Sequence, residues 1–176
     1  MSPLRRTACS ILAAAIGLAA LPARVHATAG ATRCQDATYH QFDFWLGDWD
    51  TFDSDAPGRP SVARNHVDAI LDGCVLRELY EQTDGLTGQS FTIYDPSRKL
   101  WHQTWVTNRG QLLEMEGPLQ GKRIVLSGVD RQHQNAVIRV SWEPVADGVR
   151  ELATASRDHG KSWQPVFDIV FRKHRG

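Results

Sequence analysis

Beyond residue 42 the chain alternates short apolar and polar positions and shows little helical periodicity. Runs rich in Val, Ile, Trp, Phe and Tyr are divided by the segments DSDAPGRP, LDG, TDGLTG, DPSRK, TNRG, LQGK, VDRQHQN, PVADG and RDHGKS. A period of two puts successive side chains on opposite faces of a strand. Gly, Asp, Asn and Pro at the breaks supply turn conformations. The pattern predicts strands over 46–53, 62–70, 74–81, 89–94, 100–106, 111–117, 123–128, 136–143, 149–156 and 163–172. Strands joined by short turns form an antiparallel meander, and about ten of them can remove their unpaired edges by closing on themselves. The expected fold class is therefore all-β, a single antiparallel up-and-down β-barrel behind a short helical or irregular lead. A β-sandwich is the alternative. A barrel of this size is just wide enough for a packed interior or one small ligand.

The first residues follow a different pattern. Arg5 and Arg6 precede a small, apolar segment from Thr7 to Leu21, and Val25 and Ala27 are small residues placed for cleavage after Ala27. This is the layout of a secretory signal peptide, and the apolar run is shorter than the ~20 residues of a membrane-spanning helix. The expected organisation is a signal peptide over 1–27, a lead over 28–41 and a barrel domain over 42–176, located in the periplasm or secreted. No transmembrane segment is expected in the mature chain. Cleavage would remove Arg5, Arg6 and Arg24, leaving 17 basic against 20 acidic side chains. A mildly acidic protein without a basic stripe is a poor match for nucleic acid. Two cysteines remain, Cys34 and Cys74. In an oxidising compartment they form either one disulfide or two unpaired thiols.

Alternation also sorts the candidate chemistry. In CVLRELYE it places Cys74, Leu76, Glu78 and Tyr80 on one face, opposite Val75, Arg77, Leu79 and Glu81. Two charges on the second face favour the first as the inward one, which makes Glu78 a carboxyl in an apolar wall. The alternative is an outward Glu78 on a solvated strand. In LWHQTWV, Trp101, Gln103 and Trp105 share a face. Two indoles flanking an amide suit a flat or amphipathic ligand, and equally suit a barrel core. In VIRVSWE, Arg139 could neutralise Glu78 if its polar face turned inward. The candidate ligand-binding residues are thus Glu78, Tyr80, Gln103, Trp105 and Arg139. The histidines show no metal-ligand spacing, so no metal site is expected.

Phe42–Phe52, FDFWLGDWDTF, holds five aromatic residues in eleven positions. Its Gly47-Asp48-Trp49, together with Arg172 late in the last strand, resembles the calycin superfamily of lipocalins and fatty-acid-binding proteins. That resemblance implies closure of the barrel end by Trp49 beneath Arg172. At finer scale FDFWLGDWD, ILDGCVLRELYE, SFTIYDPSRKLWHQTWVTNRGQLLEMEG and SRDHGKSW resemble a family of secreted bacterial domains of unknown function grouped with calycin-like barrels. The likeness implies a fold and a compartment, and no catalytic residue. The nitrobindin relatives of the superfamily hold haem through one histidine, for which His102 and His174 are the candidates here; otherwise no cofactor is expected. SRDHGKSW, Ser156 to Trp163, matches the Asp-box pattern of secreted β proteins. Asp158, Gly160 and Trp163 are its turn residues, read as a hairpin staple.

Together these readings lead to an exported barrel that binds an unidentified small, partly apolar molecule without chemistry. Two alternatives remain: a periplasmic enzyme using Glu78 as general acid or base, and an envelope protein with a packed barrel whose loops bind another protein.

Overall fold

The computed structural model describes residues 34–56 and 58–175. The proposed signal peptide and the first residues of the lead lie outside them. The lead contains two short 3-10 turns, Ala37–His40 and Asp43–Trp45. The strands are β1 (Gly47–Asp53), β2 (Ala63–Ile70), β3 (Val75–Gln82), β4 (Thr87–Asp95), β5 (Leu100–Thr107), β6 (Leu112–Gly117), β7 (Leu119–Gln120), β8 (Arg123–Asp130), β9 (Ala136–Val145), β10 (Gly148–Ser156) and β11 (Gln164–Lys173). Ten of them close an antiparallel barrel, and the two-residue β7 is an extra strand beside β8. Among the described residues, no helix is long and apolar enough to cross a membrane.

Two pairings decide between barrel and sandwich. β1 pairs with β11, and β6 pairs with β8 through Met115 opposite Gly128 and Glu116 opposite Ser127. The second contact shuts the sheet on itself, so no pair of separate sheets remains. Glycine makes this seam: a Cβ at Gly117 would run into the Val125 carbonyl, and one at Gly128 into that of Glu114. Only a residue without a side chain lets two backbones cross so closely.

Inward and outward positions follow the alternation. Along β4, Gly88, Ser90, Thr92 and Tyr94 are buried while Thr87, Gln89, Phe91 and Ile93 are exposed. Continued through the registers, the inward side chains form three layers. One end is an aromatic plug, in which Phe42 stacks on Trp45 at 5.2 Å between ring centres and meets Trp101 and Trp142 edge-on. The Trp49 indole donates to the Trp45 carbonyl at 2.9 Å, fixing the lead against the first strand. Phe42, Trp45, Trp49, Trp101, Trp142 and Phe171 are all essentially buried. Burying a large apolar side chain contributes about 1.5–3 kcal/mol, so this end is the strongest part of the core. The dense aromatic run from Phe42 is a stopper built onto β1.

The expected Trp49–Arg172 contact is corrected by one residue. Lys173 lies opposite Trp49 in the β1–β11 register and holds its ammonium 3.8 Å from the ring centre, while donating to the Leu46 carbonyl at 2.8 Å. Gly47, at φ +136°, keeps this approach open, because a Cβ there would collide with the Lys173 ammonium. Arg172 stands opposite Asp50 in the register, on the outer face, and lies over Phe52 at 5.3 Å. At the same end Cys34 and Cys74 form a disulfide, with 5.1 Å between their Cα atoms. It ties the lead to the β2–β3 turn. In the chain-entropy model a bridge spanning 40 residues contributes about 4 kcal/mol.

Candidate functional site

The middle layer of the barrel is polar on one side. β1 to β5 contribute Thr51, Asn65, Glu78, Ser90, Thr92 and Gln103, and β10 contributes Glu151, all buried. Met115, Leu126, Val140 and Ile169, also buried, come from β6, β8, β9 and β11. The antiparallel registers set Glu78 opposite Ser90 and Val67, Thr92 opposite Gln103, and Glu151 opposite Trp142. The Ser90 hydroxyl donates to Glu78 Oε2 at 2.8 Å. Gln103 Nε2 donates to Thr92 Oγ1 at 3.0 Å and to Ser90 Oγ at 3.4 Å. The chain from Gln103 through Ser90 to Glu78 thus fixes one carboxyl oxygen.

Other polar atoms of this layer have no partner within the protein. Both amide atoms of Asn65, the Thr51 hydroxyl and the Trp142 indole nitrogen are buried and unpaired. Asn65 is near enough to Glu78 to favour its ionised form, yet out of hydrogen-bonding geometry; the Trp142 indole stands in the same relation to Glu151. A buried polar group left unpaired costs about 1–3 kcal/mol, and native structures usually satisfy such groups with water or a ligand.

Electrostatics reinforce the picture. Burial pushes the Glu78 carboxyl from 4.5 up to about 7, with Ser90 and Asn65 only partly offsetting it. Burial, and then the nearby charge of Glu78, raise Glu151 well above the usual carboxylate range. Tyr80 is raised by burial, Glu151 and Glu78 in that order. The three groups therefore feel one another across the interior, and Glu78 changes charge near neutrality.

Tyr80 and Trp105, both half-buried, stand at the end opposite the plug, edge to face at 6.0 Å between ring centres. The Trp105 indole donates to Gln111 Oε1 at 3.2 Å and lies flat on Gly88, where a Cβ would fall within its ring. Glu78 and Glu151 keep 6% and 9% of their surface while Ser90, Thr92 and Thr51 keep none. A cleft of about 330 Å³ lies at the rim of β3, β4 and β5, mostly on their outer face, where Leu79, Glu81, Gln89 and Val106 line it beside Tyr80 and Gly88. A second cleft of about 740 Å³, near Trp49, Asp147, Arg172 and Arg175, lies on the outside of the plugged end.

Of the sequence-predicted site residues, Glu78 and Gln103 are joined through Ser90 in the buried middle layer, and Tyr80 and Trp105 meet above them at the mouth. Arg139 joins neither group. Ile138, Val140 and Trp142 turn inward on β9, so Arg139 faces outward and stacks on Trp163 at 4.0 Å. It cannot neutralise Glu78 from there. His102 and His174 also lie outside, against Glu116 at 3.0 Å and Asp50 at 3.0 Å, so neither offers an axial ligand to an interior haem. Among the described residues, no group of three or more metal-ligating side chains occurs. The Asp-box is a closed local network in which Asp158 accepts from Ser156 and Ser162, the Gly160 amide donates to Ser156 Oγ at 2.8 Å, and the Trp163 indole donates to the Gly160 carbonyl at 3.1 Å. These bonds hold the Asp158 carboxyl far below the usual range.

Asn65, Thr51 and Glu151 escaped the sequence reading. For Glu151 a signal existed: VRELATA alternates Val149, Glu151 and Ala153 against Arg150, Leu152 and Thr154, and the Arg150–Asp168 ion pair fixes which face is outer. No protein-family model and no curated protein matches the chain.

Proposed function

We propose that the chain is an exported, calycin-like barrel that binds a small, partly apolar molecule between its aromatic plug and the Tyr80–Trp105 mouth. The observation that carries this reading is Asn65, 2% exposed with both amide atoms unpaired beside Glu78. A barrel selected only for packing gains nothing from an orphaned amide and two carboxyls at mid-height. The polar side of the layer would orient the molecule, and Met115, Leu126, Val140 and Ile169 would take its apolar part. Native mass spectrometry of protein taken from the periplasm without denaturation tests the proposal. A co-purifying small molecule, lost from an Asn65→Leu variant that still folds, supports it. Bare protein, with tryptophan fluorescence unmoved by a broad panel of small metabolites, overturns it.

One observation favours a catalytic reading as the second: Glu78 is inside, has no arginine beside it and titrates at about 7, as a general acid or base working near neutrality does. Glu78→Gln separates the two. In a binder it shifts ligand affinity by the worth of one charged hydrogen bond, about 1.5–3 kcal/mol. In an enzyme it abolishes turnover while substrate still binds.

A further inference from the structure

We infer that the interior site receives an organic cation, a primary ammonium on a small apolar or aromatic stem, held jointly by Glu78, Glu151 and Asn65. The inference rests on the binding reading and adds the charge class of the ligand.

The acids have no cation of their own. Arg64 pairs with Asp50 at 2.9 Å, Arg77 with Asp68 at 2.8 Å and Arg150 with Asp168, all on the outer face, and Arg139 lies on Trp163. Lys173 belongs to the plug. Among the described residues, every inward ionisable group of the middle and mouth layers is therefore an acid or a phenol. Two buried carboxyls with no compensating charge are complementary to a cation.

Three features select an ammonium over a metal ion. A primary ammonium carries three N–H donors, and the site offers three kinds of acceptor in the Glu78 carboxyl, the Glu151 carboxyl and the unpaired Oδ1 of Asn65. Only two acidic side chains are present, short of the ligand set that hard divalent cations take. Tyr80 and Trp105 put aromatic rings at the mouth, where a cation's stem passes. A metal has no use for those rings.

Binding is then coupled to proton loss. Near pH 6 Glu78 is mostly protonated and Glu151 is shifted the same way, so an entering ammonium must ionise at least one carboxyl. The groups that face Glu78 are Glu151 from β10 and Tyr80 from β3, while β2, β4, β5, β9 and β11 turn no charged side chain toward it; Asp53 and Asp84 act on Tyr80 alone. Amine affinity should rise with pH by about tenfold between pH 6 and pH 8, with about one proton released per amine at the lower pH.

Isothermal titration calorimetry with the full mature chain tests this, using tyramine and hexylamine against their neutral counterparts 4-ethylphenol and 1-hexanol, and calcium chloride as the metal probe. Each titration is run at both pH values in two buffers of different ionisation enthalpy. The expected result is at least about tenfold preference for each amine over its counterpart, with buffer-dependent heat showing proton release at pH 6. Glu78→Gln and Glu151→Gln, checked for folding by circular dichroism, should each lose the preference. Equal affinity for amine and alcohol overturns the ammonium inference and leaves the binding reading standing. Calcium binding that requires Glu78 overturns it in favour of a metal. Absence of binding by all probes, together with bare protein in native mass spectrometry, removes both.

Discussion

Replacing Glu78 by Gln should flatten part of the pH dependence of stability. In the unfolded chain this carboxyl titrates at its ordinary 4.5, and in the barrel at about 7. Below the lower value it is neutral in both states. Above the higher value folding must bury a charge that the unfolded chain solvates, so the group favours folding at low pH and loses that contribution as pH rises through 7. Each pH unit of separation is worth about 1.4 kcal/mol, which gives a loss of about 3 kcal/mol for the native protein between pH 4.5 and pH 8. Against a total of about 5–15 kcal/mol for a domain, this is a measurable fraction. Glu151 has the same sign, and removing its charged neighbour adds to the difference. Guanidinium titrations of both proteins at intervals from pH 5 to pH 8 give the curves. Surface carboxylates whose pKa values are lowered by arginine or histidine, such as Asp48, Asp50 and Asp68, act below this window. Everything else cancels in the comparison. The two proteins should differ by less than about 1 kcal/mol at pH 5, separate steadily up to pH 7 and run level above it, with Glu78→Gln the more stable by about 3 kcal/mol there. Parallel curves would refute a buried Glu78.

Three further outcomes are expected. Replacing both Cys34 and Cys74 by Ala should lower stability by about 4 kcal/mol, read from chemical denaturation, since the bridge spans 40 residues. Gly88→Ala should drive the Trp105 indole off its seat, costing about 1–3 kcal/mol and shifting tryptophan emission to the red. N-terminal sequencing of periplasmic protein should begin near Thr28, and full-length protein retained in the membrane would contradict export.

The strands were legible because each turn carries a glycine, proline, asparagine or aspartate and each run keeps its alternation. β7 was not, being two residues inside the PLQGK turn. The orientation of Glu78 followed from Arg77 and Glu81 on the other face. For Arg139 both orientations looked open in VIRVSWE, and the weight of Ile138, Val140 and Trp142 settled the matter: three large apolar side chains outbid one cation for the interior. The Trp49 partner was missed by one position because a motif locates a basic residue in the last strand without its register, and only the β1–β11 pairing sets Lys173 opposite Trp49. Asn65 shares its face of ARNHVDAI with Ala63, Val67 and Ala69, against Arg64, His66 and Asp68, so alternation did point it inward, but a lone small amide among apolar side chains carried no sign of a partner. Its meeting with Glu78 depends on β2–β3 register and barrel closure, which no single segment encodes.

A crystal structure at neutral pH, from protein purified without denaturation, tests the central claim most directly, through the density around Asn65, Glu78 and Glu151. The account predicts a bound molecule, or ordered water standing in for one, within hydrogen-bonding distance of the Asn65 amide and the Glu78 carboxyl. An Asn65 amide satisfied entirely by protein atoms, in an interior filled with side chains and no non-protein density, would contradict it.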